Sequence, residues 1–107
     1  MDDTSQLISN AFQLFMSEAP DFAQAWGSMV QELAKVSALD DKTRELSYLA
    51  GLASLNRLSG IPFHVASLKA KGVTREEIIS AILVGLPAAG HVVTQALPAA
   101  IEAYDAE

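Results

Sequence analysis

Between its prolines and glycines the chain repeats apolar residues at three- and four-residue spacing, and β-branched residues never alternate with polar ones over a useful length. That pattern excludes a half-buried sheet and predicts an all-α fold of about six helices. Thr4 or Ser5 caps the first, which carries Leu7, Ile8, Ala11, Phe12 and Phe15 on one face and ends near Ala19. Pro20 suits the first turn of a second helix, where Phe22, Trp26, Met29, Val30 and Leu33 form a stripe expected in the core. After a link over 36–39, Asp40 or Asp41 caps a third helix over 42–58, with Leu46, Leu49, Leu52, Ala53 and Leu55 as its apolar set. Ser47, Gly51 and Ser54 form a row of small residues, either a solvated face or a line of close approach for another helix.

Leu58-Ser59-Gly60 interrupts the pattern. Pro62 then opens a short fourth helix, with Ile61, Val65 and Leu68 as its buried row and Gly72 just past its end. Lys69 and Lys71 favour the dipole at that end and are expected in solvent. Thr74-Arg75-Glu76-Glu77 has the form of a capping box, a strong helix start, and Ile78, Ile79, Ile82, Leu83 and Leu86 follow until Pro87 and Gly90 end or kink the run. A last helix over 92–104 contains Pro98 and is expected to bend there.

With 107 residues, 50% of them hydrophobic, the chain has the size of one domain, 1–107, with a modest core. A formal net charge of −6 argues against nucleic acid and anionic membrane surfaces as partners. There are no cysteines, so disulfides, thiolate metal sites, thiol nucleophiles and thiol redox cycles are excluded. The start, MDDTSQ, has neither a basic region nor an immediate apolar run, and the expected location is the cytoplasm. Residues 78–101 carry no formal charge, which is long enough to span a membrane. Their prolines, glycines and alanines favour instead helices buried all round, in a core or a subunit contact.

Two polar groups stand out against this background. Glu45 has Leu49 and Leu52 as its i+4 and i+7 neighbours, and His64 lies between Ile61 and Leu68. A carboxylate and an imidazole carried toward a core need a partner or a task. Taken singly, His64 is accounted for by a neutral ring hydrogen-bonded in the core, and Glu45 by a surface pair with Arg44, Lys42 or Arg57. If the two meet, burial raises the carboxyl pKa while an imidazolium lowers it. Such a pair can share or relay a proton near neutral pH, as a proton-transfer enzyme requires. Adding His91 would make a facial triad for a metal, but the spacing matches no metal motif and His91 sits at a helix break, so no metal is expected.

RELSYLAGLA, followed by FHVASLKAKGVTREEI, resembles the carboxymuconolactone decarboxylase and AhpD-like alkylhydroperoxidase superfamily over residues 39–90. The Arg44-Glu45-Leu46 triplet, the His64 helix and the Gly72-Val73-Thr74 helix start occur in that family's order. In the AhpD-like branch a glutamate is followed by two cysteines and a histidine. Glu45 and His64 fall on the glutamate and the histidine, whereas Arg57 and Gly60 stand at the cysteine positions. Thiol peroxidase chemistry needs one cysteine to attack and another to resolve, so it is rejected for this chain. The decarboxylases form the cysteine-free branch, although they usually carry an acidic residue close to the position of Gly60.

The resemblance implies an AhpD-like helical bundle that assembles as a homo-oligomer, trimer or hexamer, with pockets at or near subunit contacts. It also implies a decarboxylase or lyase type of proton transfer on a small organic acid or lactone, without metal or organic cofactor. Glu45 and His64 would be the catalytic acid–base pair. Arg57, whose planar fork suits a substrate carboxylate, and His91 are the candidate substrate-binding residues. The alternative is a non-catalytic binding or scaffold member that keeps Glu45 and His64 as a structural pair.

Overall fold

The structure, a computed structural model, describes residues 7–106, and no strand occurs among the described residues. Its α-helices are α1 (Asn10–Glu18), α2 (Pro20–Val36), α3 (Asp41–Ser54), α4 (Ile61–Ala70), α5 (Arg75–Leu83), the single turn α6 (Leu86–Ala89) and α7 (Leu97–Asp105). Short 3-10 segments cover Leu58–Gly60 and Gly90–Ala96. Ser9 caps α1 by accepting from the Phe12 amide at 3.2 Å, while the expected cap at Thr4 or Ser5 lies outside the described residues. Asp40 caps α3, its Oδ1 accepting from the Thr43 amide at 2.8 Å.

The junction between α4 and α5 is built from two local signals placed side by side. Gly72, at φ +88°, takes the left-handed conformation just past α4. Its amide donates to the Lys69 carbonyl at 3.0 Å and the Val73 amide to the Leu68 carbonyl at 3.1 Å, the paired bonds of a Schellman motif. Val73 and Leu68, joined by the second bond, are both buried. One residue later the capping box forms: the Thr74 amide donates to Glu77 Oε1 at 2.8 Å and the Glu77 amide to Thr74 Oγ1 at 3.1 Å. The C-terminal helix locks this corner. Tyr104 Oη donates to the Val73 carbonyl at 2.8 Å, Arg75 pairs with Asp105 at 3.0 Å, and Lys69 Nζ donates to the Tyr104 carbonyl at 2.6 Å.

The core lies between α3, α4, α5, the second 3-10 segment and α7, and is filled by Leu49, Ala53, Ile61, Val65, Leu68, Val73, Ile78, Ile82, Val93, Ala96 and Ala100. The stretch Arg75–Asp105 has the length and composition to cross a membrane, but it folds back on itself through α5, α6, the 3-10 segment and α7. Its uncharged part supplies Ile78, Ile82, Val93, Ala96 and Ala100 to the core.

Three expectations are corrected. The stripe on α2 is not core: no residue of α1 or α2 is buried, and Phe22 and Leu33 are 74% and 58% exposed. The two helices pack on each other, with the Phe12 and Trp26 ring centroids 5.2 Å apart, beside a core already closed by the later helices. Pro98 does not bend the last helix. It stands in the first turn of α7, where a missing amide costs nothing, and the residues before it form the 3-10 segment that follows Gly90 at φ +80°. The third helix stops at Ser54 rather than 58, because the chain turns at Asn56, which has φ +56°. Of the small-residue row, Gly51 faces open space, while Ser54 fits against Gly85 so closely that a Cβ there would collide with its hydroxyl.

The two glycines Gly72 and Gly51 are expected to respond oppositely to alanine. Gly72→Ala should lower the unfolding free energy by about 1–2 kcal/mol, the cost of a left-handed L-residue. Gly51→Ala, in a helix with nothing within 4 Å of the new methyl group, should raise it by roughly 0.5–1 kcal/mol. Urea denaturation of both variants checks this pair.

Candidate active site

Helical spacing on two neighbouring elements assembles the site. On α3, Asp41, Glu45 and Tyr48 follow one another at i, i+4 and i+7. On α4 and its cap, His64, Ser67 and Lys71 follow at i, i+3 and i+7. Glu45 is the centre. Its Oε2 lies 2.8 Å from His64 Nδ1, and its Oε1 accepts from Ser67 Oγ at 2.9 Å and Lys71 Nζ at 2.7 Å. Lys71 also reaches Asp41 at 2.6 Å, and Asp41 in turn holds Arg44 at 2.9 Å. Arg44 therefore pairs with Asp41 and not with Glu45.

The Glu45 side chain is only 12% exposed. Burial alone would raise its pKa, but the hydrogen bonds from Lys71, His64 and Ser67 together outweigh that and hold the carboxyl below its ordinary value of 4.5. Burial likewise works against the Lys71 ammonium, and Asp41 and Glu45 more than offset it, so the lysine pKa lies above its ordinary range. Glu45 is accordingly an anion at neutral pH, and no shared proton is needed to satisfy it.

An ionised carboxylate only accepts hydrogen bonds, so His64 Nδ1 must be the donor in their contact. In the neutral ring the lone pair then sits on Nε2, and no described residue supplies a hydrogen bond to that atom. Tyr48 and Phe63 hold the imidazole edge-to-face, with centroids 4.9 and 5.3 Å from it. The fixed tautomer makes Nε2 a base.

His64, with a side chain 26% exposed, lines an open cleft of about 430 Å³. Trp26, Met29, Val30, Leu33 and Ala34 of α2 form one wall. Asp41, Arg44, Glu45, Tyr48 and Lys71 line the opposite, more polar side. The exposed stripe of α2 is thus a wall of the site and not part of the core. Lys71, expected simply in solvent, is a member of the network, and its i+7 spacing from His64 was the available signal.

Arg57 and His91 do not join this cleft. Arg57 is exposed just before the first 3-10 segment, and His91 is exposed in the second, where its carbonyl accepts from Thr94. Among the described residues no group of three or more histidine, aspartate or glutamate side chains is placed to hold a metal ion. Gly60, where the decarboxylases usually have an acid, lies against the site: a Cβ there would be 3.2 Å from Leu52 and 4.0 Å from the His64 ring.

Because Glu45 has a depressed folded-state pKa, its stabilising contribution is fully present above about 4.5, its ordinary value, and is lost as pH falls through the folded value. Glu45→Gln should therefore cost about 1–3 kcal/mol at pH 7, since it removes the charge that accepts from His64, Ser67 and Lys71 and leaves these donors poorly matched. The gap between variant and wild type should narrow as the pH is lowered below that range. Denaturation curves between pH 3 and 7 check the slope, and a gap that widens in acid contradicts the assignment.

The sequence profile of the carboxymuconolactone decarboxylase family matches residues 20–102, which takes in α2 and the whole of the site. No significant match was found among curated proteins or among solved structures. A profile match over most of the chain, an all-α architecture, and a glutamate and a histidine at hydrogen-bond distance lead to one assignment: the chain belongs to the carboxymuconolactone decarboxylase family.

Proposed function

We propose that the protein is a cofactor-free proton-transfer enzyme of decarboxylase or lyase type, acting on a small organic acid or lactone in the cleft between α2 and α3–α4. One observation carries this reading: His64, oriented through Nδ1 by ionised Glu45, lines a solvent-open cleft with an unpaired Nε2. In its neutral form the ring removes a proton from carbon or oxygen of a bound substrate, and the imidazolium so formed is stabilised by Glu45 and returns the proton to product. Glu45 positions the ring and balances its charge, while Lys71 and Ser67 keep Glu45 ionised.

A scaffold reading also has specific support, since the bonds from His64, Ser67 and Lys71 to Glu45 tie α3 to α4 whether or not chemistry occurs. Arg57 and His91 lie outside the cleft and form no part of the proposed machinery.

The protein acts in this proposal as a homo-oligomer, trimer or hexamer. The support is the apolar surface of α2 outside the cleft, where Phe22 and Val36 are 74% and 78% exposed, more than a chain this small ordinarily leaves in water.

The test is solvent-deuterium incorporation into a panel of lactones and carboxylic acids, followed by NMR, with light scattering on the same samples. His64→Gln is expected to keep the fold and lower exchange by about 10²–10⁴-fold, while Arg57→Ala and His91→Ala stay within roughly twofold of wild type. The mass should be a multiple of 11.4 kDa. An unchanged rate in His64→Gln, or no exchange with any compound together with a large loss of stability in that variant, sinks the enzyme reading in favour of the scaffold. A mass of one chain sinks the oligomer.

A further inference from the structure

His64 is the last member of an alternating row of charged groups that joins α3 to the end of α4. Arg44 binds Asp41 Oδ1 at 2.9 Å, Lys71 Nζ reaches Asp41 Oδ2 at 2.6 Å and Glu45 Oε1 at 2.7 Å, and Glu45 Oε2 meets His64 Nδ1 at 2.8 Å. The remaining titratable group in the cleft is the Tyr48 phenol. Neither α2 nor the first 3-10 segment brings a charged side chain to it, and those of α7 do not line it. The two cations cancel the two carboxylates. A neutral imidazole therefore borders a network without net charge, although its nearest charged neighbour is an anion.

From this row we infer that Lys71 and Asp41 are positioning residues for the base: Lys71 draws part of the Glu45 charge away from the His64 ring, and Asp41 limits how much of the ammonium Glu45 receives. The inference rests on the reading of His64 as the proton acceptor and concerns what keeps its Nε2 free of a proton. A carboxylate whose only partner is an imidazole stabilises the imidazolium, and a ring that already carries two protons takes none from a substrate. Glu45 offers its two oxygens to different donors, Oε2 to the ring and Oε1 to Lys71 and Ser67. The ammonium thus holds charge on the oxygen that the ring does not contact. Burial opposes the Glu45 anion, and Lys71 is the largest of the contributions that offset it. Asp41 acts one place further along the row and with opposite sign, since an ammonium shared between two carboxylates neutralises each of them less.

The expected effects alternate in sign along the row, which separates a charge effect from a purely structural one. The test is a pH titration of the ring protons by ¹H NMR, with the two histidines told apart by His91→Ala. Lys71→Met leaves the Glu45 charge to the ring and should move the midpoint of the His64 titration up by about 0.5–1 pH unit. Asp41→Asn commits Lys71 to Glu45 and should move it down, by roughly half as much. Lys71→Arg keeps the charge and should stay close to wild type. If the Asp41–Lys71 bridge only ties α3 to α4, either substitution breaks the same 2.6 Å contact and both midpoints move in one direction. The acid limb of deuterium exchange should follow the midpoint, so that below it Lys71→Met is about three- to tenfold slower than wild type.

Opposite movements in Lys71→Met and Asp41→Asn, with Lys71→Arg in place, support the inference. Movement of both in one direction, unchanged midpoints, or a Lys71→Arg variant that behaves like Lys71→Met overturns it. The Asp41 side chain is 65% exposed and touches Glu45 only through Lys71, so Asp41→Asn decides the sign should Lys71→Met fail to fold. A lower midpoint there supports the inference, and a higher or unchanged one overturns it. Opposite midpoint shifts in a protein that exchanges no compound keep the inference and remove the catalytic reading beneath it. Exchange that is lost in His64→Gln but whose acid limb moves in neither variant keeps the catalytic reading and overturns the inference.

Discussion

The contact between Glu45 and the α4 helix is the interaction on which the site depends. One carboxylate, side chain 12% exposed, accepts from His64, Ser67 and Lys71, three donors on one face of the neighbouring helix and its cap. Removing a carboxylate this far from water is costly unless every lone pair finds a partner, and here the donors include an ammonium. The arrangement has two consequences. It fixes the spacing of α3 and α4 around the core, and it leaves His64 with one available nitrogen. Stability and proposed chemistry therefore meet in the same three hydrogen bonds.

The rest of the fold supplies rigidity where this contact needs it. Lys71 is the last residue before the left-handed Gly72, and the Schellman bonds together with the capping box that follows hold the chain's course through that turn. Tyr104 and Asp105 of α7 bind the same corner from the far side. The lysine thus extends from a braced backbone position toward α3. By contrast, the wall formed by α2 rests mainly on α1 and on aromatic contacts of Trp26 with Phe12 and Phe15 at 5.2 and 6.3 Å. His64 is thus tied to α3 through Glu45, whereas the apolar wall opposite it packs mainly on α1.

Features governed by nearby residues were legible in the sequence. The Thr74–Glu77 box, the Gly72 stop and the proline starts at Pro20 and Pro62 each depend on partners within a few positions, so spacing alone specifies them. The Glu45–His64 pair was legible as two polar residues on apolar faces, although their separation of 19 residues left their meeting to the tertiary fold. The role of Lys71 is not legible locally, because a lysine at a helix end has a sufficient account in the dipole, while its partners lie 26 and 30 positions earlier at Glu45 and Asp41. The α2 stripe shows the opposite failure. Helical periodicity identifies an apolar face but does not say what covers it, and in this fold the core closes without that face.

The most direct test of the account is the protonation of the His64 ring. The chain has two histidines, so ¹⁵N-histidine labelling gives two ring systems, which His91→Ala assigns. At a pH where the ring is neutral, the account predicts that His64 carries its proton on Nδ1 and has an unprotonated Nε2, and that Glu45→Gln disturbs this pattern. A neutral His64 protonated on Nε2, or a tautomer indifferent to the loss of the Glu45 charge, would contradict it.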